Sequence, residues 1–131
     1  MADTRPVFTS PAGLPAAAGY SHVVAIPAGG LVWTSGQVGI SADGHVADGW
    51  EAQTRQTFEN VGRALAGGGA TWNHVIKLMF FVIATDELPM VRRVRDEFVQ
   101  TSAPPTSSLV QVAGLFRSDL LIEVEAVAVT S

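Results

Sequence analysis

Two carboxylates, Glu123 and Glu125, lie two residues apart inside an otherwise apolar run from Leu120 to Val129. The run reads as a β-strand, and side chains alternate across a strand. Leu120, Ile122, Val124, Ala126 and Ala128 therefore share an entirely apolar face that should meet helices. Glu123 and Glu125 share the opposite face with Leu121, Val127 and Val129. A carboxylate there can accept a hydrogen bond from water, and apolar surroundings can lift its pKa toward that of a general acid or base. A solvated sheet face or a structural ion pair would account for the same pattern. A second cluster, Thr34-Ser35-Gly36-Gln37, closes an earlier strand. Gly36 either satisfies strand-end geometry or lets a ligand or neighbouring backbone come close, with the Ser35 hydroxyl available for a hydrogen bond.

Other chemistries are excluded more readily. The chain has no cysteine, so disulfides, thiolate nucleophiles and Cys-based zinc sites are absent. His22, His45 and His74 lack metal-ligand spacing; two of them, at element ends, read as ordinary surface residues, and no metal is expected. There is no G-x-S-x-G elbow, and Gly67-Gly68-Gly69 lacks the lysine of a phosphate loop, so it reads as a helix stop. A net charge of −4 with no basic run argues against a nucleic-acid partner. No apolar segment is long enough to span a bilayer and no leader pattern opens the chain, so a cytoplasmic location without membrane contact is expected.

The elements that must position these residues fit one domain over residues 1–131. Residues 1–19 read as an extended arm or short edge strand. Tyr20–Ile26, a turn at Pro27–Gly30, and Leu31–Gln37 form a hairpin, and a loop runs over Val38–Gly49. Asp48-Gly49-Trp50-Glu51 has capping-box spacing before a helix to about Ala66 that buries Phe58, Val61 and Leu65. Thr71–His74 leaves room for one further turn. Val75–Ile83 is nearly continuous apolar sequence, as in a central strand covered on both faces. Thr85 or Asp86 can cap a second helix with Pro89 in its first turn and a stripe of Leu88, Val91, Val94 and Phe98. Strands at Ser107–Ala113 and Leu120–Val129 complete an α+β order, β-β-α-β-α-β-β. This implies a mixed sheet with both helices on one face. The other face stays open unless subunits associate, and a charged fraction of only 15% points the same way.

Several short motifs recur in a known order: Tyr20-Ser21; Val32-Trp33-Thr34-Ser35-Gly36-Gln37; Gln53-Thr54-Arg55-Gln56 with Glu59-Asn60-Val61; Pro105 before Ser108; and Ile122-Glu123-Val124-Glu125-Ala126. From Tyr20 to the C-terminus the chain resembles the Rid family of reactive intermediate deaminases, also called the YjgF family. The resemblance implies a chorismate-mutase-like fold and a homotrimer whose sheets form a central β-barrel. It implies sites in clefts between subunits, and a cofactor-independent hydrolysis of small enamines and imines to a keto acid and ammonia. By resemblance, Glu123 is the catalytic acid, Tyr20 the phenol that reaches the cleft, and Ser35 with Gly36 the strand-end pair. Ser107, Ser108 and Leu109 lie on the strand that lends substrate-binding groups.

At one point the chain departs from the family. Where the deaminases carry Pro-x-Arg-Ser, with an arginine clamping the substrate carboxylate, this chain reads Pro105-Thr106-Ser107-Ser108. A hydroxyl cannot make the bidentate charge-assisted pair. Losing that pair in a desolvated cleft costs roughly 2–5 kcal/mol. Arg92 stands where Asn is common, and Gly114-Leu115-Phe116-Arg117 replaces Arg-Leu-Pro-Lys with one extra residue before the last strand. Arg92, Arg95 or Arg117 could restore a cation, or all three could be solvated surface charges. The expected function is hydrolysis of a C=N or related C–N bond, with a non-catalytic small-molecule-binding or protein-interaction trimer as the alternative. RNA cleavage, sometimes attached to the family, fits poorly with an acidic chain.

Overall fold

The computed structural model describes residues 7–18, 20–26 and 30–130. Among the described residues seven strands form one sheet: β1 (Val7–Thr9), β2 (Val23–Ile26), β3 (Leu31–Thr34), β4 (Gln37–Val38), β5 (Val75–Val82), β6 (Thr106–Gln111) and β7 (Ile122–Val129). Their order is β1-β2-β3-β7-β5-β6, with β4 pairing β7 as well. Only β5 and β6 run parallel; the other pairs are antiparallel. Two helices, α1 (Trp50–Gly67) and α2 (Leu88–Arg95), and a 3-10 turn at Trp72–His74 complete the chain. The expected mixed sheet with both helices on one face is what forms, and the arm contributes a short edge strand, β1. Most of the expected turn at Pro27–Gly30 lies outside the described residues; Gly30 itself has φ 66°.

The core lies between the helices and one sheet face. Phe58, Val61, Ala64 and Leu65 of α1 and Met90, Val91 and Val94 of α2 pack on Leu78, Phe80, Val82, Ile122, Val124, Ala126 and Ala128. The apolar side of β7 thus faces the helices, as its alternation requires. The helix stop also holds. Gly68 and Ala70 both donate to the Leu65 carbonyl at 2.9 Å, and Gly69 adopts φ 86°.

Some local expectations fail: β2 begins at Val23 rather than Tyr20, and α2 ends at Arg95, before Phe98. The capping box at Asp48–Glu51 does not form: Gly49, at φ 85°, is the N-cap, and Glu51 instead pairs with Arg55 and Arg93. Glu87 rather than Thr85 or Asp86 occupies the α2 N-cap, although Pro89 does sit in the first turn. Strand β5 is covered on one face only. Val75, Leu78, Phe80 and Val82 are buried, while Ile76 is exposed and Lys77, Met79 and Phe81 are half-buried, because no helix lies on their side. Finally, the strand expected over Leu31–Gln37 breaks at Ser35-Gly36. Trp33 pairs with Val127 but Gln37 with Val124, so the register slips by one residue, as in a β-bulge.

Candidate active site

The bulge shapes the site. Glu123 lies on the helix-free face of β7, flanked by Val38 on one side and Phe81 on the other. Its carboxylate rests against Gly36, where an added Cβ would come within 2.7 Å of Glu123 Cδ. A side chain at this position would push the Glu123 carboxylate from where it rests, so the glycine serves a close approach rather than a positive φ. Glu123 is half-buried. Burial first, and the like charge of Glu125 second, push its pKa above the usual glutamate range. Among the described residues neither acid makes an ion pair.

Backbone and side-chain bonds tie the neighbouring segments together. Ser35 Oγ donates to the Ser21 carbonyl at 2.6 Å, and Ser35 N donates to the His22 carbonyl at 2.7 Å. The serine proton is therefore committed, while its oxygen lone pairs remain free to accept. His22 is buried, 3% exposed. The N-terminal arm folds over it: Nε2 donates to the Pro15 carbonyl at 2.7 Å, and Nδ1 accepts from Gln37 Nε2 at 3.0 Å. These partners place the ring hydrogen on Nε2. The Tyr20 ring stands edge-on to the imidazole, 5.2 Å between centroids.

Tyr20, Ser35, Gly36 and Glu123 come together on one cavity of about 520 Å³. Its apolar walls are Pro15, Ala16 and Ala18 from the arm, Ile40, and Phe116 from the segment between β6 and β7. Four of the nine candidate site residues are thus joined within a single chain. The other five are elsewhere. Ser107, Ser108 and Leu109 lie exposed on the edge strand β6, with Ser108 Oγ accepting from Lys77 Nζ at 3.1 Å. Arg92 is exposed on α2, across the sheet from Glu123. Arg117 forms a bidentate pair with Asp119, at 3.1 and 2.7 Å. Arg95 pairs with Asp96 at 2.9 Å. None of these cations lines the cavity.

Sequence reasoning missed His22, Phe116 and two amides of α1 as parts of this site. Asn60 donates to the carbonyls of Val38 at 2.9 Å and Ile40 at 2.7 Å, holding the segment that pairs with Glu123. Gln53 donates to the Asp119 carbonyl at 2.7 Å and accepts from Leu121 N at 2.9 Å, bracketing the entry to β7. Buried amides on an apolar helix stripe were the available signal, since such groups must find partners. Among the described residues no group of three or more His, Asp or Glu side chains could hold a metal ion. No helix described is long and apolar enough to cross a membrane. The chemistry within reach is therefore that of one carboxyl of raised pKa beside a phenol and a hydroxyl oxygen, in a largely apolar hollow.

Residues 11–130 match the family model described as endoribonuclease L-PSP. A RutC family protein of Synechocystis is 30% identical over 112 residues, covering 80% of this chain and 82% of that protein. A 2-iminobutanoate/2-iminopropanoate deaminase of Salmonella typhimurium is 34% identical over 118 residues, covering 88% and 91%. The crystal structure of the YjgF gene product of E. coli superposes with a TM-score of 0.84 at 29% identity, covering 95% of this chain and 99% of that one.

Proposed function

The chain belongs to the endoribonuclease L-PSP family, the group that includes YjgF, RutC and Rid proteins, and from this we propose that it hydrolyses a C=N or related C–N bond of a small metabolite. The observation that carries the reading is the placement of Glu123. It is half-buried, of raised pKa, pressed against Gly36 and open to the cavity that Tyr20 and Ser35 also line. For an imine the balance is simple: water adds to the carbon, giving a carbinolamine, which collapses to a carbonyl compound and ammonia. Glu123 takes a proton from the attacking water and returns it to the departing nitrogen. Tyr20 and the Ser35 oxygen orient the nitrogen and the water. The step requires no cofactor.

We further take the working form to be a cytoplasmic homotrimer with a central barrel, whose clefts bring the exposed β6 of one subunit, with Ser107, Ser108 and Leu109, to the Glu123 cavity of the next. The helix-free sheet face, with Trp33 at 41% and Val129 at 38% exposure, supports such an assembly. With Ser107 in place of the family arginine, the favoured substrate is less acidic than 2-iminopropanoate. Glu123→Gln is expected to reduce turnover by about 10²–10⁴-fold while leaving the assembly intact. Unchanged turnover removes Glu123 from the mechanism.

A second reading, a trimer that binds small molecules or proteins without chemistry, is favoured by one observation: among the described residues no cation lines the cavity. Freshly generated 2-aminoacrylate and 2-iminopropanoate discriminate, since acceleration over spontaneous hydrolysis ends the binding-only view for those compounds. RNA cleavage finds no support in a chain of net charge −4 with this lining.

A further inference from the structure

Phe116 is 71% exposed and yet lines the cavity. An aromatic ring at a loop tip would ordinarily swing aside, but the residues on either side of this one are tied down. Leu115 and Leu120 pack with Val38, Ile40 and Val46 in a small cluster of their own. Gln53 brackets Asp119 and Leu121, Leu120 N donates to the Arg117 carbonyl at 3.2 Å, and Arg117 is locked to Asp119. The arm residues Pro15, Ala16 and Ala18 line the same cavity, held by buried Leu14 and by the bond from His22 Nε2 to the Pro15 carbonyl. The cavity's volume, about 520 Å³, lies within the roughly 300–1,000 Å³ range typical of small-molecule ligand sites. Among the described residues, Glu123 is the one charged side chain lining it, and it repels anions whenever it is ionised.

We propose that Phe116 and the arm residues Pro15, Ala16 and Ala18 form a specificity wall, selecting a substrate whose reacting carbon bears an uncharged apolar group, aliphatic or aromatic. The inference rests on the reading of Glu123 as the hydrolytic acid, and it names the substrate class for that site. Apolar contact with an exposed ring is weak singly, so discrimination comes from a ring and an arm that stay in place.

Carboxylate-free aldimines test it. A flavin amine oxidase generates them in situ from benzylamine, 3-methylbutylamine and ethylamine, and hydrolysis converts RCH=NH and water to RCHO and ammonia. The wild-type protein should show kcat/KM for the benzyl and 3-methylbutyl imines at least about 5-fold above that for the ethyl imine. Phe116→Ala should cut that ratio by about 5- to 10-fold, chiefly through KM, and Phe116→Leu should recover most of it. Equal rates across the three imines, or an unchanged ratio in Phe116→Ala, overturns the proposal. Silence toward all three, with 2-iminopropanoate also untouched, marks failure of the hydrolytic reading instead. The wall is then judged by calorimetry with benzamide, acetamide and benzoate. Benzamide should bind more tightly than the other two and lose about 5- to 10-fold in Phe116→Ala. Benzoate binding as tightly, a Phe116→Ala variant binding as well, or no binding at all overturns it.

Discussion

The two faces of the sheet obey opposite rules. On the helix-covered face every side chain of β7 is buried and apolar, and Phe58, which is fully buried, stacks on Phe98 with 5.4 Å between centroids and meets Phe80 at 6.0 Å. On the open face the same strand carries two acids of one sign without a described cation to pair them, and its neighbours Trp33, Met79 and Phe81 are only partly covered. The first face obtains stability from close packing, so few substitutions fit there. The second tolerates like charges and uncovered apolar surface, both of which cost stability, and such costs persist where assembly or chemistry makes use of them.

The contrast can be broken from either side. Phe58→Ala should destabilise the protein by about 3–5 kcal/mol in denaturant unfolding, and a loss under about 1 kcal/mol would show that the helix-covered face is not the main source of stability. Gly36→Ala must displace the Glu123 carboxylate and should lower turnover by about 10²-fold with the melting temperature little changed; normal turnover would mean that the close approach is incidental. Trp33→Asp should weaken self-association by about 30-fold or more in sedimentation equilibrium, as loss of a buried tryptophan anchor does. An assembly indifferent to this change would free the open face for another use.

The smallest effect concerns Glu125. Glu123 is pushed upward by burial and, less, by Glu125, so the rising limb of rate against pH should lie above the ordinary glutamate range. Glu125→Gln should move that limb to lower pH without bringing it back to ordinary, because burial remains. The sign for stability is reversed. The folded chain holds the Glu123 proton more tightly than the unfolded chain, so this group costs stability as pH rises through the window between the two pKa values. Glu123→Gln should then raise the melting temperature slightly at neutral pH and leave it unchanged in acid. A drop at neutral pH would mean that the carboxylate has a stabilising partner in the assembly.

Much of the candidate site's layout was legible because alternation and breakers are local. Period two placed Glu123 on one side of β7, and the bulge needed at Ser35-Gly36 was foreshadowed by a glycine inside a strand pattern. The capping box at Asp48 failed because Glu51 found better partners in Arg55 and Arg93, the second of them 42 residues away. The part His22 plays was not legible because its burial depends on an arm that crosses back over it, a contact no window around residue 22 contains.

Residue order alone determined the element types, the apolar side of the last strand and the absence of an arginine at position 107. These follow from side-chain alternation, from Gly and Pro backbone preferences and from residue identity, all of which act over a few positions. The tertiary fold decided that Gly36 meets Glu123, that Gln53 and Asn60 hold the segments around the acid, and that Phe116 and the arm line a common hollow. Such pairings join residues tens of positions apart, and they arise only when the core has closed and buried amides must take the partners it leaves them.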